Sequence, residues 1–205
     1  QYDGPAIRAW VLARYAQKIL AKDSDFVKRW IFNDAPEMSA VKKDLSYVVR
    51  NFNSSGYDLW EEVKGYHFFT DMFSRRALIE GSKLANKMED PASERWYLQN
   101  ALMLERRLEK SYWLSHKGFI AASEDLGSRQ GLDASVILAS LYTYDRQDSF
   151  FAPDDPRVVA TAFHLTKVFS ELYPINHGKK FPLIGRYPED VYDGGDGQHP
   201  GGIGN

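Results

Sequence analysis

Apolar residues along this chain recur at helical rather than strand spacing. Val41, Leu45, Val48, Val49 and Phe52 fall at i, i+4, i+7, i+8 and i+11, one stripe of an amphipathic helix, and Gly56 offers a stop just beyond it. Upstream, Asp3-Gly4-Pro5 reads as a helix start with Asp3 as N-cap and Pro5 in the first turn, followed by Ile7, Trp10, Val11 and Tyr15 on one side. Further stripes run through Phe69, Met72, Phe73, Ala77 and Leu84, then Leu98, Leu102, Glu105, Leu108 and Tyr112. Val136 to Tyr142 and then Val159, Ala162, Phe163, Phe169 and Leu172 complete the set. Period-two alternation is nearly absent, so the pattern predicts an all-α chain of helical hairpins. No consensus returns at the periods of helical repeat arrays, which argues against a peptide-binding solenoid.

The joints between these helices, Gly56 to Tyr66, Gly118 to Asp133 and Gly178 onward, hold most of the unusual chemistry, as expected where helices form a scaffold and loops carry function. From Tyr192 to Asn205 the chain is too rich in glycine to pack a core and reads as cut rather than finished. Composition narrows the classes. The 205 residues, 43% of them hydrophobic, suffice for one sizeable core. Basic and acidic side chains are interspersed, 26 against 28, which leaves no stripe to neutralise successive phosphates, so nucleic acid is not an expected partner. No apolar run approaches the roughly 20 residues that cross a bilayer, so no membrane partner is expected either. With no cysteine and no metal-ligand spacing among His67, His116, His164, His177 and His199, neither a disulfide nor a metal site is expected. Five Trp and twelve Tyr are many for a small helical domain, and such rings stack on the C–H faces of sugars while keeping a polar handle. Asn53-Ser54-Ser55 is an N-glycosylation acceptor triplet.

The strongest local feature is Gly56-Tyr57-Asp58-Leu59-Trp60-Glu61-Glu62-Val63, three carboxylates and two large aromatics in a short connector. Glycoside hydrolysis asks for a carboxylic acid that protonates the departing glycosidic oxygen, and aromatic neighbours and nearby acids favour its protonated form. Spacing alone favours a plainer reading, in which Asp58, Glu61 and Glu62 form the acidic first turn of the next helix.

That connector, followed by Phe68-Phe69-Thr70, resembles the signature of the fungal-type glucoamylases, glycoside hydrolase family 15. Asp3-Gly4-Pro5-Ala6-Ile7-Arg8-Ala9, Asp44-Leu45-Ser46-Tyr47-Val48, Arg75-Arg76-Ala77-Leu78-Ile79-Glu80-Gly81, Ser128-Arg129-Gln130-Gly131-Leu132-Asp133 and Gly185 to Tyr192 are similar to further blocks of that family in the same order. The resemblance implies a partial (α/α)6 barrel, about half of the toroid, with residues 1–205 as the central part of a single catalytic domain. It implies inverting exo-hydrolysis of terminal α-1,4, and more slowly α-1,6, bonds of starch and maltooligosaccharides, releasing β-glucose without a cofactor. It also implies a secreted glycoprotein, glycosylated at Asn53, that is monomeric at full length. By residue-for-residue matching Glu61 is the proton donor, Leu59, Trp60 and Glu62 line the subsites, and Arg129 contacts substrate. Asp58 matches an aspartate sometimes assigned as proton acceptor. Inversion needs roughly 6.5–9.5 Å between acid and base carboxyls, so a residue three positions from the acid reads more naturally as an electrostatic neighbour.

Asp133 reads as the N-cap of the following helix, and Arg186 with Glu189 and Asp190 as a local brace. The family pattern puts the general base downstream of Asn205, and a glucose-binding Arg-Asp pair and a subsite Trp upstream of Gln1. Residues 1–205 by themselves are therefore expected to carry the acid without the base and to be inactive and poorly soluble. Two other readings stay open: a non-catalytic carbohydrate-binding remnant of the family, and a helical interaction scaffold.

Overall fold

A computed structural model describes residues 2–35, 38–127 and 129–192, and the chain divides into two compact units, 1–110 and 111–205. Ser128 and the glycine-rich run from Asp193 onward lie outside the described residues.

The first unit opens with α1 (Asp3–Ile19), followed by the single turn α2 (Ser24–Phe26) running into a π-helical turn, Val27–Ile31, and then by α3 (Ala40–Asn51). A two-residue hairpin of β1 (Gly56–Tyr57) and β2 (Lys64–Gly65) leads to α4 (Phe68–Lys87) and α5 (Pro91–Ser111). α1 lies against both α3 and α4. Its inner stripe is not the aromatic one expected: Ala6, Ala9, Ala13 and Ala16 are fully buried, while Val11 and Tyr15 are exposed. Alanine lets helix axes approach closely, so the small residues take the seam and the bulky ones the outer face. Trp10 stands between the two faces and meets Phe73 edge to face, with ring centroids 5.8 Å apart.

The start of α1 also differs from expectation. Asp3 is its first helical residue rather than its cap; Tyr2 occupies the cap position and makes no side-chain capping bond. The α3 stripe holds at Val41, Leu45, Val48 and Phe52, all buried. Ser39 caps α3, its hydroxyl accepting from the Lys42 amide at 3.2 Å. Lys42 in turn donates to Asp90 at 2.8 Å. Burial works against the charged Asp90 carboxylate, but the bonds from Lys42 and Ser93 outweigh it and hold its pKa down at about 2.

α4 is buried on nearly every side, including Arg75, Arg76 and Glu80. Such charges persist in an interior only when paired: Arg76 reaches Glu80 at 2.6 Å, and Arg75 reaches Glu105 of α5 at 2.7 Å. In α5 the buried positions are Tyr97, Asn100, Ala101, Leu104 and Leu108, and Leu98 and Leu102 of the expected stripe face outward.

The second unit carries the hairpin β3 (Trp113–Leu114) and β4 (Phe119–Ile120), then α6 (Ala134–Thr143) and α7 (Pro156–Leu172). Its core gathers Phe119, Leu132, Leu165 and Phe169. On α7 the buried residues are Val158, Thr161, Leu165 and Phe169, whereas Val159 and Phe163 are exposed. Asp133 caps α6 as expected, its carboxylate accepting from the Ser135 amide at 2.7 Å. Among the described residues no helix is long and apolar enough to cross a membrane.

Candidate active site

The acidic connector is not the first turn of a helix. Asp58, Leu59, Trp60, Glu61 and Glu62 occupy the loop of the β1–β2 hairpin, and α4 begins only at Phe68, with Asp71 as its first-turn acid. Gly56 pairs with Gly65 and Tyr57 with Lys64, which closes the loop at its base. Gly56 is needed there for space, because a Cβ at that position would lie 2.8 Å from the Tyr2 ring at the start of α1. His67, buried beside the hairpin, donates from Nε2 to the Gly56 carbonyl at 3.1 Å.

Asp58 organises the loop from within. It is 7% exposed, and its Oδ1 accepts from the backbone amides of Glu62 at 2.7 Å and Val63 at 3.0 Å. Its own amide donates to the Val63 carbonyl at 2.9 Å, and its carbonyl accepts from the Glu61 amide at 3.0 Å. A carboxylate taking two amide hydrogens pins a turn as an Asx cap does. The turn forces Glu61 into left-handed backbone, with φ of 61°. Few non-glycine residues adopt that conformation, which costs about 1–2 kcal/mol. Glu61 is exposed, and among the described residues its carboxylate makes no hydrogen bond or ion pair; Leu59 and Trp60 flank it half-buried. Asn53, on the loop before the hairpin, is exposed; its side chain accepts from Arg107 at 3.3 Å and its carbonyl from the Tyr66 hydroxyl at 2.9 Å.

Arg129 belongs to the second unit, on a loop tied at several points to the segment 185–190. Its guanidinium carbon stands 3.7 Å from the centre of the Tyr187 ring, a cation–π contact that fixes where the fork lies. The neighbouring Gln130 amide donates to Glu189 at 3.2 Å, and the Ala134 amide donates to the Arg186 carbonyl at 2.7 Å. Gly131, at φ of +94°, lets this loop turn. Arg186 grips Asp190 through two bonds of 2.7 Å each. Burial opposes the charged form of Asp190, yet the bonds from Arg186 and the Tyr192 amide, with the charges of Arg186 and Arg129, keep its pKa below the usual carboxylate range. The brace read from sequence is thus Arg186 with Asp190, and Glu189 serves the Arg129 loop instead.

Each unit thus presents its own part of the expected chemistry: a turn with an exposed carboxylate at Glu61, and an arginine over a tyrosine ring. Residues 1–201 match the model of glycosyl hydrolases family 15. The chain belongs to that family. Glucoamylase 1 of Rhizopus oryzae is 36% identical over 203 residues, covering 95% of this chain and 32% of the relative. A glucoamylase of Saccharomyces cerevisiae described as intracellular and sporulation-specific is 31% identical over 211 residues, covering 95% of this chain and 38% of the relative. The solved glucoamylase of Saccharomycopsis fibuligera matches with a TM-score of 0.82 at 30% identity, over 97% of this chain and 44% of that one. The chain spans about a third of the length of the curated relatives it matches. Its fold class is that of the family 15 glucoamylases, all-α and built on the (α/α)6 barrel plan.

Asp3, read from the sequence as a cap, is buried at 5% exposure in the first turn of α1, which an Asp-Gly-Pro helix start does not announce.

Proposed function

We propose that this chain is part of a glucoamylase, a single catalytic domain that hydrolyses terminal α-1,4 and, more slowly, α-1,6 glucosidic bonds of starch and maltooligosaccharides with inversion, releasing β-glucose. Family membership and the presentation of Glu61 support this reading, and the presentation of Glu61 carries it: an exposed carboxyl, uncommitted among the described residues, on a turn that Asp58 holds in strained backbone. Left-handed backbone also occurs at Glu89 and Phe151, so the strain at Glu61 supports the reading only together with its place in the acidic connector that resembles the family signature.

In the reaction Glu61 gives its proton to the glycosidic oxygen as the bond from that oxygen to the anomeric carbon breaks. Water adds to the opposite face of the anomeric carbon and yields a proton to a second carboxylate. That base is assigned to none of residues 1–205. Leu59, Trp60 and Glu62 line the sugar subsites around the acid, and Arg129, held over the Tyr187 ring, binds sugar hydroxyls through its fork. Asp58 serves the reaction by fixing the turn, its Oδ1 being occupied by two amides. The exposed Asn53 of the acceptor triplet supports a secreted, glycosylated enzyme, although the Saccharomyces cerevisiae relative is described as intracellular.

The test is Glu61→Gln in the full-length protein that contains this chain. The amide keeps shape but has no acidic proton to give, so kcat on maltose should fall by about 10²–10⁴-fold while inhibitor affinity stays nearly constant. Near-normal kcat would refute the assignment.

A further inference from the structure

His67 stands at the N-cap position of α4, where a Ser, Thr, Asp or Asn would accept from a first-turn amide, yet its side chain makes no capping bond. It is 4% exposed and aims Nε2 at the Gly56 carbonyl, 3.1 Å away and 11 positions back along the chain. A carbonyl only accepts, so the imidazole carries a hydrogen on Nε2. That bond reaches the strand more remote from the helix. β2 runs into α4 through Tyr66 and His67 alone, whereas β1 is joined to α3 through the loop 52–55. A hairpin with two residues on each strand is too short to hold its own orientation. Packing at its base is incomplete as well, for a cleft lined by Tyr2, Gly56, Gly65, His67, Thr70 and Asp71 opens there. Specific ties therefore set the hairpin's place. The Tyr2 ring lies against Gly56, the Tyr66 hydroxyl donates to the Asn53 carbonyl at 2.9 Å, and His67 holds Gly56 from α4.

We propose that His67 is a positioning residue for Glu61: its Nε2–H fixes Gly56, and through β1 the turn that carries the acid, at one place relative to α4. This inference rests on the glucoamylase reading of Glu61 as the proton donor. The path from imidazole to acid is short and continuous. Gly56 leads through Tyr57 to Asp58, whose amide donates to the Val63 carbonyl at 2.9 Å and whose carbonyl takes the Glu61 amide at 3.0 Å. Asp58 Oδ1 takes the next amide, that of Glu62, at 2.7 Å. At the other end α4, buried on nearly every side, gives His67 a rigid mount. A general acid must stand within hydrogen-bond reach of the oxygen it protonates, and a displacement of about 1 Å caused from outside the reacting groups can cost 10²-fold in rate. A hairpin released from α4 would keep its carboxyl and lose its aim.

The experiment compares His67→Gln with His67→Asn in the full-length protein that contains this chain. Glutamine carries an amide donor at about the reach of Nε2, whereas asparagine ends near the place of Nδ1 and leaves the Gly56 carbonyl without that donor. Both are neutral and polar, and neither is larger than the imidazole. In His67→Asn kcat on maltose falls about tenfold or more while KM rises less, and His67→Gln keeps kcat within about threefold of the wild type. A kcat that holds in His67→Asn, even with a lowered thermal midpoint, overturns the proposal, as does an equal loss in the two variants. A second readout needs no hydrolysis. Amide exchange at Asp58, Glu62 and Val63 becomes roughly two- to tenfold faster in His67→Asn, the loss expected from one hydrogen bond, while α4 keeps its protection. Unchanged exchange in the hairpin overturns the tie even if glucan is hydrolysed. A wild type that releases no glucose, with the hairpin still loosened in His67→Asn, overturns the glucoamylase reading and the catalytic role with it, and leaves the tie standing.

Discussion

Asp58 and Glu61 stand three positions apart and do different work. Glu61 faces outward, whereas Asp58 turns inward to take the amides of Glu62 and Val63 on one oxygen. The division gives a test. Asp58→Asn keeps an acceptor oxygen for the turn and Asp58→Ala removes it, leaving two amides to find water at a cost of about 1–3 kcal/mol. If Asp58 fixes the turn, kcat should fall far more in the alanine variant than in the asparagine variant. Equal, large losses in both would return Asp58 to the role of base. Residue types and their order were legible in the string, because the resemblance named Glu61, Trp60 and Arg129. Backbone conformation was not: nothing in Leu59-Trp60-Glu61-Glu62 announces a left-handed residue, and no glycine marks the place.

The helices were legible as helices, but the face each one buries often was not. A stripe of large apolar residues is the usual guide to the core, and it served for α3 and α4, where Leu45, Met72, Phe73 and Leu84 are buried. It failed for α1, whose seam is made of alanines, and for α5 and α7, where apolar residues occur on more than one side. The two hairpins were missed because strands of two residues offer no alternation to detect. The α1 seam predicts an asymmetry. Ala9→Leu should cost about 1–3 kcal/mol through overpacking, although leucine is a good helix former. Val11→Ala on the outer face of the same helix should stay within about 0.5 kcal/mol in this chain. Thermal or urea unfolding of the two variants checks it, and equal tolerance at both positions would refute the seam.

At the scale of the whole molecule, the 205 residues expose many large apolar side chains: Phe181 is 78% exposed, Phe163 65%, Tyr142 58% and Val159 52%. Phe69 and Phe73, by contrast, are buried within the first unit at 5% and 3%. Val11, Trp30, Leu102 and Met103 of the first unit are also at least half exposed, so the apolar liability is shared by both units. Expressed as it stands, the chain should release no glucose from maltoheptaose, since an inverting hydrolysis with an acid and no opposed base has no acceptor for the water proton. It should also bind hydrophobic dyes and self-associate through the exposed faces. Glucose assay, dye fluorescence and light scattering on the purified chain decide this. A dye-silent monomer that releases glucose would mean that the base lies within residues 1–205.

The left-handed backbone at Glu61 reaches beyond the reaction itself. Position 61 is one where the folded chain would be more comfortable with glycine or asparagine than with the acid that the proposed reaction needs. A library of variants sorted only for thermal resistance or expression would therefore enrich replacements at that codon and collect sturdier, inert proteins. Sorting for glucose release would hold the acid in place and push compensation elsewhere, towards the Asp58 brace and the base of the hairpin. The two selections would part at a single residue, and the gap between them would measure how much durability this turn gives up to keep the proposed proton donor in reach.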